Sequence, residues 1–267
     1  MDWSKIKTIF IITFLILDVY LLFQFMKIRD ANKYEVITET SLEDKLKADE
    51  IKIDVELPKA AIKNQYLSAQ PGKFSKSDAA KLKGQKVVIN ESGTTITADL
   101  ENPIQLSSKF EPASLADFLK EKILYGEDYQ FWEKDDEKKT ITYFQQYDNF
   151  PLYQNMNGMI IFTLNEDNQI MKYQQTHIEG IEKLTAKEDV LLQPMKAIET
   201  LYQKGVLKPK SKITKVELGY STLIQLAASQ VLAPTWRLVV DDKENLYVNA
   251  FEGQIIEFGS NENLGAE

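Results

Sequence analysis

Pro234-Thr235-Trp236-Arg237-Leu238-Val239-Val240, followed by Tyr247-Val248-Asn249-Ala250-Phe251-Glu252-Gly253-Gln254-Ile255-Ile256, decides how this chain is read. Side chains alternate between the two faces of a strand, so Trp236, Leu238 and Val240 share one face while Arg237 and Val239 take the other. Asp241–Asn245 is a polar hairpin turn between two such runs, and Asn249 with Gly253 suits a second turn before a last short strand. Outward from this hairpin the same grammar recurs. Ile213 to Tyr220 reads as a strand before it. Further back, Asn157 to Leu164 and Ile170 to His177 bracket the turn Asn165-Glu166-Asp167-Asn168. Tyr129 to Glu133 and Thr140 to Tyr147 bracket the charged run Lys134–Lys139, and Val87 to Asn90 pairs with Thr94 to Leu100 across Glu91-Ser92-Gly93.

Helical spacing separates these hairpins. Leu115, Phe118, Leu119 and Ile123 recur at helical intervals within Pro112–Leu124, with Gly126 just beyond. A long helical stretch is expected over Thr185–Lys204, either broken by Pro194 or holding it in the first turn of a second part, with Gly205 at its end. Ser41–Leu46 reads as a short capped helix, Ser77–Lys83 as another, and Ile51, Ile53, Val55 and Leu57 as a half-buried strand ended by Pro58. Hairpins with intervening helices, and no regular βαβ alternation, argue an α+β fold in which helices cover antiparallel sheets. Two rounds of helix followed by strands set an expected division into lobes at 41–180 and 181–267.

Composition narrows the chemistry. The chain has 267 residues, no cysteine, one histidine and a net charge of −8. Disulfides, thiolate metal sites, cysteine nucleophiles and any two-histidine metal site made by one chain are excluded. Of 32 basic residues only Arg29 and Arg237 are arginine. An acidic, arginine-poor chain is a poor reader of nucleic acid, so no nucleic-acid partner is expected.

The apolar content concentrates at the N-terminus. Thr8–Met26 carries one formal charge, Asp18, and is long enough as a helix to cross the ~30 Å hydrocarbon layer. It exceeds the length of a signal-peptide apolar core and lacks a small-x-small cleavage site in Phe23–Lys27, which favours an uncleaved anchor. The expected organisation is a cytoplasmic tail at 1–7, a transmembrane anchor at 8–28, a linker at 29–40 and a large exterior part. Flanking charge leaves the orientation open, since Lys5 and Lys7 precede the span while Lys27, Arg29 and Lys33 follow it. Residues 1–33 carry a net +2 and residues 34–267 a net −10. A carboxylate at the bilayer centre costs about 2.5–3.5 kcal/mol, so Asp18 calls for a polar partner in another helix or for protonation. Phe14, Asp18, Leu21, Leu22 and Phe25 are the expected partner-binding residues of this helix.

Catalytic constellations are thin. His177 with Thr176 and Glu179 offers a conceivable base, but a structural histidine is the better reading. Asp135-Asp136-Glu137 lies among lysines as a solvated turn, and Asn165–Asn168 lacks the spacing of a calcium loop. Nucleotide-binding and nucleophile-elbow signatures are missing, as is any Ser-x-x-Lys with supporting motifs; Ser107-Ser108-Lys109 is too common a grouping to count, and paired carboxylates have no recognisable setting. No cofactor is expected.

The closing hairpin resembles a PepSY-type unit, and Phe150-Pro151-Leu152-Tyr153 with Gly158–Phe162 is a comparable segment. Together with Met1–Thr8 leading into the anchor, and Leu17-Asp18-Val19-Tyr20 within it, the chain resembles the YycI (WalI) family along essentially its whole length. That resemblance implies a non-enzymatic, single-pass membrane protein with its N-terminus inside and an extracytoplasmic domain. It implies action with a YycH-type protein on the WalK (YycG) sensor histidine kinase, which controls cell-wall metabolism. A membrane-anchored inhibitor or chaperone of an exported peptidase, and a wall hydrolase, stand as the alternatives.

Overall fold

The computed structural model describes residues 3–31, 41–107, 109–226 and 228–258. The chain divides into two compact units, Met1–Asp49 and Glu50–Glu267. In the first, α1 spans Trp3–Ala31 and α2 spans Leu42–Ala48. Ser41 caps α2, its hydroxyl accepting from the Asp44 amide at 3.2 Å, as the Ser-x-x-acid spacing requires. Side chains of α1 are described continuously from Phe10 to Leu22 and are all exposed. Among the described residues no helix is long and apolar enough to cross a membrane. Most of the expected linker, 32–40, lies outside the described residues, as do 259–267 at the end of the chain.

The second unit is mixed α+β and dominated by strands. It opens with β1 (Lys52–Ile53), β2 (Lys63–Asn64), β3 (Leu67–Pro71) and the one-turn α3 (Lys76–Ala79). Ser75 and Asp78 bond reciprocally across the start of α3 in a capping box. There follow β4 (Gln85–Ile89), β5 (Thr95–Gln105), a 3-10 turn at Pro112–Leu115 and α4 (Ala116–Lys122). The middle comprises β6 (Tyr129–Asp135), β7 (Thr140–Tyr147), β8 (Phe150–Tyr153), β9 (Met159–Leu164), β10 (Gln169–Thr176), β11 (Ile178–Lys183) and β12 (Asp189–Val190). The last part runs through α5 (Pro194–Gln203), β13 (Lys212–Gln225), β14 (Gln230–Val240), β15 (Glu244–Asn249) and β16 (Ile255–Ile256).

Among the described residues, one continuous path of strands runs β11-β3-β14-β13-β8-β7-β9-β10-β5-β4. The expected hairpins β4–β5, β6–β7, β9–β10 and β14–β15 all form as antiparallel pairs, and β13 pairs antiparallel with β14 as well. Two short parallel contacts depart from the expected purely antiparallel pattern: β13 lies parallel to β1 and to β8. The expected lobe boundary at 180/181 falls inside β11.

Apolar cores lie along this path, and two of them are described. In the first, Ile96, Ala98, Ile141, Ile160, Phe162, Ile170 and Tyr173 from the β4–β10 strands bury against Leu115 and Leu119. In the second, Leu67, Ala69, Leu152, Ile178, Tyr220 and Leu232 converge from β3, β8, β11, β13 and β14. Full burial of each such large side chain contributes about 1.5–3 kcal/mol, against a comparable loss of chain entropy.

Buried amides tie the strand systems together. Gln145 on β7 donates through Nε2 to the Ile178 carbonyl at 2.9 Å and accepts from the Ile178 amide at 2.8 Å. One side chain thus satisfies both backbone groups of a residue on another strand. Gly158 leaves the room for it, since a Cβ there would sit 3.0 Å from Gln145 Oε1. Asn155, also buried, donates to Thr222 Oγ1 at 3.0 Å and Gln230 Oε1 at 2.9 Å, holding the chain after β8 against β13 and β14.

Three expectations change. The helix over Thr185–Lys204 is confined to Pro194–Gln203. Proline suits a first helical turn, while the residue before it is pushed to extended backbone, and Gln193 has ψ 146°. Residues 189–190 instead pair with β2, and the Leu192 amide donates to the Ala250 carbonyl at 2.7 Å. The strand over Ile51–Leu57 keeps its alternating burial, but only Lys52 and Ile53 find ladder partners on β13. The helix expected over Ser77–Lys83 shrinks to the single turn of α3.

Candidate functional site

Helical geometry brings the expected partner-binding residues together. Positions 14, 18, 21, 22 and 25 recur at intervals of three and four, so α1 places them on one stripe about a quarter-turn wide. Phe14, Asp18, Leu21 and Leu22 are exposed, and the side chain of Phe25 lies outside the described residues. Phe10 stacks on Phe14 with ring centroids 5.8 Å apart. Gln24 Nε2 donates to the Tyr20 hydroxyl one turn earlier at 3.0 Å, and the Lys7 ammonium lies 5.6 Å from the Trp3 ring centre. The helix therefore presents an apolar stripe with a single carboxylate in its middle, suited to packing against another helix that offers a polar group.

The closing hairpin holds the second feature. Trp236 is buried, and its indole N–H donates to the Leu192 carbonyl at 2.9 Å. On the opposite face, Arg237 lies directly across from Glu217 in the β13–β14 register and bonds its carboxylate at 2.7 Å. Its Nε donates to Asn245 at 2.8 Å, and the guanidinium lies 4.2 Å from the ring centre of Trp132 on β6. The planar cation is thus held from three sides. Asn249 Oδ1 accepts from the amides of Phe251 and Glu252, and Gly253 has φ +70°, so the turn expected from these two residues forms. Beyond Ser221, where pairing with β8 ends, Leu223, Ile224 and Leu226 are exposed near the β13–β14 tip.

His177 is structural in its surroundings. Its ring stacks on Tyr125 at 4.2 Å and lies 3.3 Å from the Tyr129 hydroxyl, while Glu179 two residues on is exposed. Desolvation pulls its pKa down from 6.5 to about 4. The neutral ring is favoured in the folded chain, so its contribution to stability is complete above pH 6.5 and is lost as pH falls towards 4. Urea midpoints compared between pH 7 and 4.5 should therefore fall less in His177→Phe than in the parent. Allowing for partial exposure, the difference is on the order of 1–2 kcal/mol. Equal pH slopes in the two proteins would refute this assignment.

Buried tyrosines dominate the remaining titratable groups: desolvation raises the pKa of Tyr143, Tyr220 and Tyr247 to about 12 each. Among the described residues no three His, Asp or Glu side chains gather into a possible metal site. Asp135 instead accepts from the amides of Glu137 and Lys138 in its own turn, and Asn165 Oδ1 accepts from those of Asp167 and Gln169.

What the fold and these surfaces define is an α+β domain, sheet-built, that follows an apolar helix and offers contact faces. The chain belongs to the YycI protein family, which it matches over residues 31–251. No curated protein matches it. Among solved structures it is similar to an uncharacterized protein from Eubacterium rectale ATCC 33656, at 11% identity and TM-score 0.45, covering 79% of this chain and 92% of that one. YycH from Bacillus subtilis is 14% identical at TM-score 0.45, and the match covers 74% of this chain but only 54% of YycH. The Bacillus megaterium YpeB C-terminal domain is 10% identical at TM-score 0.37, covering 72% and 88%.

Proposed function

We propose that this chain is a non-enzymatic regulator of a sensor histidine kinase. It is anchored by residues 8–28 with its N-terminus cytoplasmic and its α+β domain outside the cell membrane, and it acts with a YycH-type protein on a WalK (YycG) kinase that controls cell-wall metabolism. The observation that carries this reading is membership of the YycI family across residues 31–251. The stripe Phe14, Asp18, Leu21, Leu22, Phe25 supplies the contact surface within the membrane, and the exterior domain adds contacts outside it. Regulation by helix packing is limited by the difference in contact energy between the kinase's two signalling states; a difference of about 1.4 kcal/mol shifts their ratio tenfold.

Asp18 is the specific contact in this scheme, because a partnered carboxylate escapes most of the cost of burial in lipid. Asp18→Leu should insert at least as well as the parent, yet recover about three- to tenfold less kinase and YycH-type protein on co-purification of the full chain from membranes. Unchanged recovery together with unchanged kinase output would reduce Asp18 to a tolerated residue.

A further inference from the structure

Antiparallel pairing between residues 62–71 and 178–191 shifts register by one residue between Glu179 and Glu182, and opens more widely further along. Lys183 pairs with Leu67 and Asp189 with Asn64, so one strand advances three residues while the other advances six. The three extra residues make a loop at 184–188, pinned at one end by the Leu184 amide on the Tyr66 carbonyl at 3.0 Å. At the other end the Leu191 amide donates to the Ile62 carbonyl at 2.9 Å. Between these pins opens a cleft of about 710 Å³ lined by Lys63, Gln65, Lys183, Leu184, Lys187 and Glu188. That volume is within the range of small-molecule sites and well beyond one ion.

The cleft is ordered from beneath. Gln65 is only 4% exposed. Oriented to satisfy both ends of its carboxamide, it donates to the Thr185 carbonyl at 2.7 Å and accepts from the Lys183 ammonium at 3.2 Å. A buried neutral side chain therefore holds both the loop backbone and one cation. Thr185 Oγ1 donates to the Lys187 carbonyl at 2.9 Å, which closes the loop on itself. Glu188 lies 3.7 Å from Lys183 and offsets one of the three cations. Among the described residues Lys63 and Lys187 have no ion-pair partner, within an exterior part of net charge −10. Asp189, the residue after Glu188, pairs with Asn64 in the β2–β12 ladder. Leu184 is exposed in the cleft and adds an apolar wall.

We infer that this cleft binds a small organic oxyanion, a phosphate or carboxylate carried on a compact body, with Lys183, Lys63 and Lys187 as its cations. Gln65 is a positioning residue, acting through Lys183. The site is independent of the kinase reading: it uses no residue of α1 and would stand if that reading failed.

The test is a titration of the full chain, isotope-labelled in zwitterionic detergent micelles, followed by backbone amide and Gln65 carboxamide shifts. Glycerol 3-phosphate and N-acetylglycine form the two arms, with sodium chloride at matched ionic strength as the control. Saturable shifts confined to residues 63–66 and 183–188 are expected from at least one arm, and the arm that saturates identifies the anion. Lys183→Gln and, separately, Lys63→Gln should each weaken that binding about tenfold, the loss typical of one charge-assisted hydrogen bond, with shifts elsewhere unchanged. Saturation by neither ligand, shifts reproduced by chloride, or binding undiminished in both variants would overturn the site. Lys63 is exposed, so its substitution keeps the test decisive should Lys183→Gln disturb the loop.

Discussion

Gly126→Ala is expected to destabilise the strand-rich domain by at least about 3 kcal/mol and to shift its urea midpoint far below that of the parent. A Cβ at this position would lie 1.8 Å from the Leu119 carbonyl oxygen and 2.4 Å from its carbon. Both atoms are backbone, so no rotamer change relieves the clash. Relief requires α4 to lift away, yet α4 carries Leu119 into the first core and sets Phe118 edge-on to Phe162 with ring centroids 6.1 Å apart. Tyr125 has no easy escape, because it already holds a left-handed φ of +54° while stacking on His177. Gly84→Ala makes the contrast: its φ is +77°, but no atom lies within 4 Å of the added carbon. There the cost should be about 1 kcal/mol, from backbone conformation alone. Urea unfolding of the full chain in detergent, followed by near-ultraviolet dichroism, compares the two; equal losses would contradict the steric account.

Trp236→Ala should cost about 3–5 kcal/mol, the usual loss for deleting a large aromatic from a core. The indole is 2% exposed and sits on the central strand of a three-strand ribbon, opposite Leu218 on β13 and Val248 on β15. Trp236→Phe separates two contributions. It retains an aromatic ring but removes the donor to the Leu192 carbonyl, leaving a backbone acceptor unpaired at about 1–3 kcal/mol. The ordering Ala worse than Phe, and Phe worse than the parent, is the expected result of denaturant titration. A phenylalanine variant as stable as the parent would show that the Leu192 bond adds nothing.

These sites mark where sequence patterns carry information and where they stop. The Trp236–Val240 strand was legible because a period of two and a polar turn are local, and the Asn249–Gly253 turn because its hydrogen bonds close within four residues. Ser41 and its helix were legible for the same reason. The strand β3 was not, since Leu67–Pro71 is defined by partners on β11 and β14 far away in the chain. Gln145 and Asn155 read as ordinary polar residues; their roles depend on carbonyls and amides brought close only by tertiary pairing. Arg237 lies on the face opposite Trp236, as the period of two requires, but its partner Trp132 comes from another hairpin. The stretch 185–193 shows propensity losing to context: its composition tolerates a helix, yet Pro194 restricts the residue before it and residues 189–192 find strand and backbone partners. Helix periodicity alone fixes that positions 14, 18, 21, 22 and 25 share a face of α1. The lysine cleft was not legible, because a bulge between distant strands leaves no local signature.

The central claim is that the N-terminal helix regulates the kinase through specific contacts. It is tested most directly by exchanging Thr8–Met26 of the full chain for an unrelated leucine-rich span of the same length, and reading kinase output from a target promoter in cells at equal protein abundance. The account predicts that this chimera remains membrane-bound but loses regulation, like a strain lacking the chain altogether. Full regulation by the chimera would contradict it and assign control of the kinase to the exterior domain alone.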